Sequence, residues 1–343
     1  MKPTPKVAAG QASTLLEVAR AAKVSPSTVS RILNGTARVS DAKRRAVEAA
    51  IARLDFRPNL LARGLRQGRG MSIGILTQVV DSPFFTAALK GVEEGLADSG
   101  YAPVIVSGHW NAKEEAERVS LLLSRRVDGI IILTGLLSEA QIVEFSQSVP
   151  IVVTGHRLAP TDRLFAMTLD NVLGGYLATR HLLELGHRQI AFLAGPPEHA
   201  DAVDRMKGYR KALKEAGVAY DPDLVVTAGF EAPGGLMAVN RLLESHRSFT
   251  AVFAANDEAA FGARLGLYRR GIRVPEDVSL VGFDDLPGSV FTTPPLTTVR
   301  QPLLEMGRLA ARSVLGMLAG ERPELAELPQ VQLVVRETTR RLR

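Results

Sequence analysis

The sequence predicts an all-α head with a helix-turn-helix, followed by an α/β core of two lobes with doubly wound parallel sheets. Three observations carry this. Two helix-start signals lie a few residues apart near the beginning. From Met71 onward, short apolar β-rich runs alternate with amphipathic helical stretches. The charge divides at the same boundary: residues 1–70 hold 14 Lys and Arg against 4 Asp and Glu, net +10, and the rest holds 28 against 32, net −4. A basic head on a mildly acidic body is the footprint of phosphate neutralisation, which solubility alone does not require.

In the head, Thr14 with Glu17 forms a capping box that opens the first helix. Ser25 caps the second, Pro26 suits its first position, and Gly35 allows the left-handed turn that ends it. Leu15, Val18 and Ala19 on the first helix, and Val29, Ile32 and Leu33 on the second, fall at spacings of three and four and give each a buried face. The polar side of the second helix carries Ser27, Thr28, Ser30, Arg31 and Asn34, with one guanidinium long enough to reach guanine O6 and N7 in a major groove. Ser40 is placed to cap a third helix with Ala46, Val47, Ala50, Ile51 and Leu54 on one side, completing a head over 1–56. Residues 57–70 read as a linker in which Asn59 to Arg66 can form a short helix. Its leucines are too apolar for a solvated tether and its arginines suit phosphates.

In the body, SIGILTQVV, YAPVIVSG, DGIIILTG, PIVVTG, AMTLD, QIAFLAG, DLVVTAG, TAVFAAND and VSLVGFDD read as strands, with VQLVVRE as the last. Helices are expected over 85–99, 113–125, 174–185, 204–216, 233–245 and 258–270. In such sheets ligands bind beyond the carboxyl ends of the strands.

The same sequence argues against other classes. There is no cysteine, so no disulfide and no thiolate ligand, and His187 has no second histidine at ligand spacing; no metal and no cofactor are expected. No P-loop, no G-x-G-x-x-G after the first strand and no Ser/His/Asp signature appears, which argues against an enzyme. A solute-binding protein would fit the body but not the head, and no export signal is recognisable. No apolar run approaches a membrane span, so the cytoplasm, where DNA is available, is the expected compartment.

At full length the chain resembles the lactose-repressor family of bacterial transcription regulators. The likeness rests on LLEVARAAKVSPSTVSRILNG followed by VS, on RPNLLARGLR, DSPFF, SRRVDGIII, LGHRQIAFLAGP, AANDEAAFGA, VPEDVSLVGFDD and PPLTTVRQP. It implies a DNA-binding head, a hinge helix within 57–70, and a body over 71–343 similar to periplasmic sugar-binding proteins. That body would dimerise and bind an effector between lobe 1, about 71–168 and 299–328, and lobe 2, about 169–298 and 329–343. The resemblance assigns base reading to Pro26, Ser27 and Arg31, with Thr28, Ser30 and Asn34 on phosphates or neighbouring base edges. It assigns Asn59, Ala62, Leu65 and Arg66 to the hinge, Leu65 wedging into the minor groove of a palindromic operator. For the effector it points to Asp81, Phe84 and Phe85 in lobe 1 and Arg205, Phe230, Asn256 and Asp284 in lobe 2.

An aromatic face beside paired donors and acceptors suits a neutral polyol, so a sugar or sugar derivative is the expected effector. A nucleoside- or purine-responsive regulator, or one recruited by a corepressor, is the alternative. Many members have an acidic residue where this chain has Gly155, next to His156 and Arg157, which suggests room for a larger or anionic ligand. His109 and Trp110, at a strand end, are read as surface or dimer contact rather than as ligand groups.

Overall fold

The computed structural model describes residues 13–33, 39–56, 69–323 and 328–342. The positions Asn34, Asn59, Ala62, Leu65 and Arg66 lie outside them. Residues 1–70 and 71–343 form two separate compact units.

Three helices make the head: α1 (Leu15–Ala21), α2 (Pro26–Leu33) and α3 (Asp41–Arg53). The capping box is in place, with the Glu17 amide donating to Thr14 Oγ1 at 3.3 Å and the Thr14 amide to Glu17 Oε2 at 2.7 Å. Lys23 adopts φ +54, the left-handed turn that lets α2 start so soon after α1. Ser40 occupies the cap position of α3, but its hydroxyl makes no capping bond, contrary to the sequence expectation. Val18, Ala19, Val29, Val47 and Ala50 form the core together with Phe56, whereas Ala46 is exposed. Ser13 Oγ donates to the Leu54 carbonyl at 2.7 Å, tying the start of the described chain to the end of α3.

The body opens as β1 (Ser72–Thr77), α4 (Pro83–Leu96), β2 (Ala102–Ser107), α5 (Ala112–Ser124), β3 (Gly129–Ile132), α6 (Glu139–Ser146), β4 (Ile151–Thr154) and β5 (Leu164–Met167). These strands pair in parallel in the order β2-β1-β3-β4-β5. Then follow α7 (Asn171–Glu184), β6 (Ile190–Ala194), α8 (Ala200–Glu215), β7 (Val225–Thr227), α9 (Ala232–Glu244), β8 (Ala251–Ala254), α10 (Asp257–Arg269), β9 (Ser279–Asp284), β10 (Thr297–Arg300), α11 (Leu303–Leu318) and β11 (Gln332–Val334). The second sheet has the order β11-β10-β9-β8-β6-β7, parallel except for β11. Strands β3, β4, β6, β8 and β9 are buried throughout because helices cover both faces. Among the described residues no helix is long and apolar enough to cross a membrane.

Several sequence readings shift. The fifth strand is LFAM rather than AMTLD, and Asp170 instead caps α7, its Oδ1 accepting from the Leu173 amide at 2.8 Å. Helices α6 and α11 and strand β10 fall outside the elements read from the sequence. Because β10 belongs to the second sheet, Val299 and Arg300 lie in lobe 2, and the chain crosses back into lobe 1 after them. There α11 packs against α4 so closely that a side chain at Gly91 would meet the Leu304 carbonyl, and one at Gly307 the Ala88 carbonyl.

Candidate functional site

On α2 the residues 26, 27, 30 and 31 fall within one sector at about 100° per residue. Pro26, Ser27 and Arg31 are exposed there and Ser30 is half-buried. Arg31 Nε donates to the Ser27 carbonyl at 3.3 Å, holding the guanidinium along the helix. Thr28 is half-buried. Its amide donates to Ser25 Oγ at 3.2 Å and its hydroxyl lies 2.8 Å from the same oxygen, so it takes part in the helix cap.

In the body, a cavity of about 540 Å³ lies between the lobes, at the carboxyl ends of the strands. It brings together all seven residues expected at the effector site: Asp81, Phe84 and Phe85 from the segment after β1, Arg205 from α8, Phe230 after β7, Asn256 after β8 and Asp284 at the end of β9. They are not equivalent. Phe85 is mainly part of the lobe 1 core, with Phe84 edge-on to it at 5.1 Å between centroids. Asn256 Oδ1 caps α10 through the Ala259 amide at 2.9 Å, and its Nδ2 donates to the Phe230 carbonyl at 2.9 Å, so Asn256 positions Phe230 as well as facing the cavity.

Arg205 is buried between the rings of Phe283 and Phe230, its guanidinium carbon 3.8 and 5.4 Å from their centroids. Nε donates to Asn171 Oδ1 at 2.9 Å and Nη1 to the Ala255 carbonyl at 2.5 Å, leaving Nη2 3.8 Å from Asp284 Oδ1. Asp284 accepts from Gln301 Nε2 at 2.6 Å. Burial pushes its carboxyl up to about 8, against the pull of Arg205, so at neutral pH it is mostly a neutral acid that can donate as well as accept.

The loop bearing Asp284 is held on both sides. Asp284 and Asp285 have φ of +115 and +58, conformations that side chains rarely adopt. Asp285 pairs with Arg300 and Arg336 at 2.6 Å each. Buried Asp257 accepts from the Leu286 amide at 2.8 Å and from the Ser289 and Thr298 hydroxyls at 2.5 Å, and burial raises it to about 6.

The lobe 1 wall has its own node, which the sequence reading missed. Fully buried Glu115 of α5 accepts from the Leu136 and Leu137 amides at 2.9 and 3.0 Å. Gln78 donates to the Thr134 carbonyl at 2.9 Å and accepts from the Trp110 amide at 2.8 Å. Burial raises the Glu115 carboxyl. Its signal was a glutamate in register with Val119 and Leu122 on the apolar stripe of α5.

Trp110 overturns its reading as surface or dimer contact. It lines the cavity, 4.1 Å edge-on from His199 of lobe 2, which in turn stands 5.5 Å from Phe230. Burial holds His199 below the usual histidine range. His109 faces outward, its Nδ1 3.0 Å from Glu114. Both residues have positive φ, +52 and +54, a kink that strand alternation cannot foresee. His187 is a buried turn residue, its ring nitrogens 2.9 Å from Thr250 Oγ1 and 3.1 Å from the Arg340 carbonyl.

A helix-turn-helix with an exposed polar recognition face, joined to a two-lobed body with a cleft at its strand ends, defines a ligand-binding transcriptional regulator of DNA. Residues 14–59 match the model for bacterial regulatory proteins of the lacI family, and residues 179–339 the periplasmic binding protein-like domain. The chain is 36% identical to the transcriptional regulator GalR of Escherichia coli (strain K12), over 95% of this chain and 94% of that protein. It superposes with a TM-score of 0.85 on the lac repressor dimer bound to operator and the anti-inducer ONPF, at 29% identity and over 96% of this chain and 100% of that one. Against the transcriptional regulator CelR in complex with cellobiose the score is 0.70 at 35% identity, over 95% and 99%. The chain belongs to the lacI family of bacterial regulatory proteins.

Proposed function

We propose that this regulator is a cytoplasmic, homodimeric repressor whose affinity for a palindromic operator is set by a neutral sugar or sugar derivative bound between the lobes. The observation that carries the sugar reading is the pairing of Arg205 and Asp284 beside the faces of Phe230 and Trp110. A guanidinium nitrogen and a mostly protonated carboxyl offer a donor and a donor-acceptor to adjacent hydroxyls, and the rings cover the apolar side of a pyranose. Charge favours a neutral ligand over an anion. Even with Asp284 neutral, Asp81, Glu198, Asp201, Glu231 and Glu258 line the cavity against the single guanidinium of Arg205, so the anionic option raised by Gly155 loses support.

The role is binding rather than chemistry, with no cofactor. Ligand that closes the lobes changes operator affinity by the same factor by which operator changes ligand affinity. In the head, Arg31 and Ser27 read bases with Pro26 in apolar contact, and Leu65 of the hinge wedges into the operator centre. A thermal-shift screen of sugars, sugar acids, sugar phosphates and nucleosides on the full chain, with Asp284→Ala as control, tests the cleft. A ligand class other than neutral sugars, or a hit that survives the substitution, would overturn it. Leu65→Ala should weaken operator binding far more than random-duplex binding, and equal losses would remove the wedge.

A further inference from the structure

We propose that the cleft contains a second chamber that takes a further neutral sugar ring, making the effector an oligosaccharide rather than a single sugar; this rests on the sugar reading above. A cavity of about 440 Å³ adjoins the first and shares Thr134, Leu136, Glu198, His199 and Asp201 with it, then continues toward His156, Arg157 and Lys207. Each chamber falls within the range of about 300–1,000 Å³ usual for small-molecule sites.

The lining selects the class of occupant. Its two cations, Arg157 and Lys207, both pair with Asp204, at 2.9 and 2.7 Å. Glu139, Glu198 and Asp201 add further negative charge, so a phosphate or carboxylate would meet no uncommitted cation among the lining residues. The residues peculiar to this chamber include no Phe, Tyr or Trp, and their one ring, His156, has its nitrogens at the Thr154 and Leu137 carbonyls, so a nucleobase has no large aromatic face to stack on. What it presents is a set of anchored donors and acceptors: Arg157 on lobe 1 and Lys207 on lobe 2 keep most of their surface exposed, while Asp204 between them is largely covered. Scattered donors and acceptors without net positive charge suit hydroxyl groups. His156 is fixed at the inner end, its Nε2 3.0 Å from the Leu137 carbonyl. Gly155 keeps the floor low. Its φ is +79, and a Cβ there would stand 2.9 Å from Thr134 Oγ1.

The test is isothermal titration of the full chain with hexoses and pentoses, their α- and β-linked dimers, and their phosphates, repeated on Lys207→Ala and Arg157→Ala. The expected result is a dimer that binds about tenfold tighter than its own monomer, an advantage lost in the variants while monomer affinity stays unchanged. Phosphates should bind no better than their parent sugars. A monomer as tight as its dimer, or variants that weaken both alike, would overturn the second chamber and leave the sugar reading standing, whereas a tighter phosphate would overturn both. A panel in which no sugar binds would refute the sugar reading, and this proposal with it.

Discussion

Asp284→Asn should flatten part of the pH dependence of this protein's stability. The folded carboxyl titrates at about 8 because it is buried, while in the unfolded chain an aspartate returns to its ordinary value near 3.9. Between those limits the folded state holds a proton that the unfolded chain has released. The contribution of Asp284 is therefore fully present below about pH 4 and is lost as pH rises through about 8. One group contributes a slope of about −1.4 kcal/mol per pH unit, so from pH 5 to pH 7 the wild type should lose about 3 kcal/mol relative to Asp284→Asn. Asparagine has nearly the shape of the neutral acid and can still accept from Gln301 Nε2, so no cavity opens to confuse the comparison. Trp110, the one tryptophan in the chain, lies in the same cavity, so denaturant titrations at several pH values followed by its emission report on the body alone. A stability difference between variant and wild type that stays constant from pH 5 to pH 8 would refute the reasoning.

Glu115→Ala leaves the buried amides of Leu136 and Leu137 without their acceptor, at about 1–3 kcal/mol each, and should shift Trp110 emission to the red through Gln78; an unchanged spectrum and denaturation midpoint would count against the node. Arg31→Ala should cost about 1–3 kcal/mol on the specific operator and little on random duplex in a competition assay at fixed salt, whereas equal losses would make Arg31 a phosphate contact. Gly307→Val should destabilise the body by about 1–3 kcal/mol, read as a lowered melting temperature, because its side chain meets the Ala88 carbonyl where α11 crosses α4; an unchanged melting temperature would mean the helices part at no cost.

Much of the fold was legible because its signals are local. The Thr14–Glu17 box, the Ser25-Pro26 start and the buried strands each announce themselves within a few residues. Strand β10 was harder to see: TTVR is four residues long, half of them threonine, and only its place between β9 and β11 makes it a strand. The effector residues were reached through the family likeness, and their convergence on one cavity gives them a common geometry. Trp110 and Glu115 escaped for opposite reasons. Trp110 is turned inward by two successive left-handed residues, neither of them a glycine, a tertiary outcome that residue type does not announce. Glu115 stands where periodicity predicts an apolar side chain, and its partners are backbone amides 21 and 22 residues away. Ser40 shows the converse, since a residue of the right type at a helix start need not make the bond.

The return of the chain through α11 and β11 bears on how the protein is made. The five strands of lobe 1 are synthesised by Met167, yet the helix that covers them begins only at Leu303, after almost all of lobe 2 has been made. The edge of lobe 2 waits longer still, for Gln332 to Val334. During vectorial synthesis the head can mature early and alone, whereas both halves of the ligand cleft stay incomplete until the chain is nearly finished. A nascent regulator can therefore hold a folded DNA-binding module well before it can sense anything.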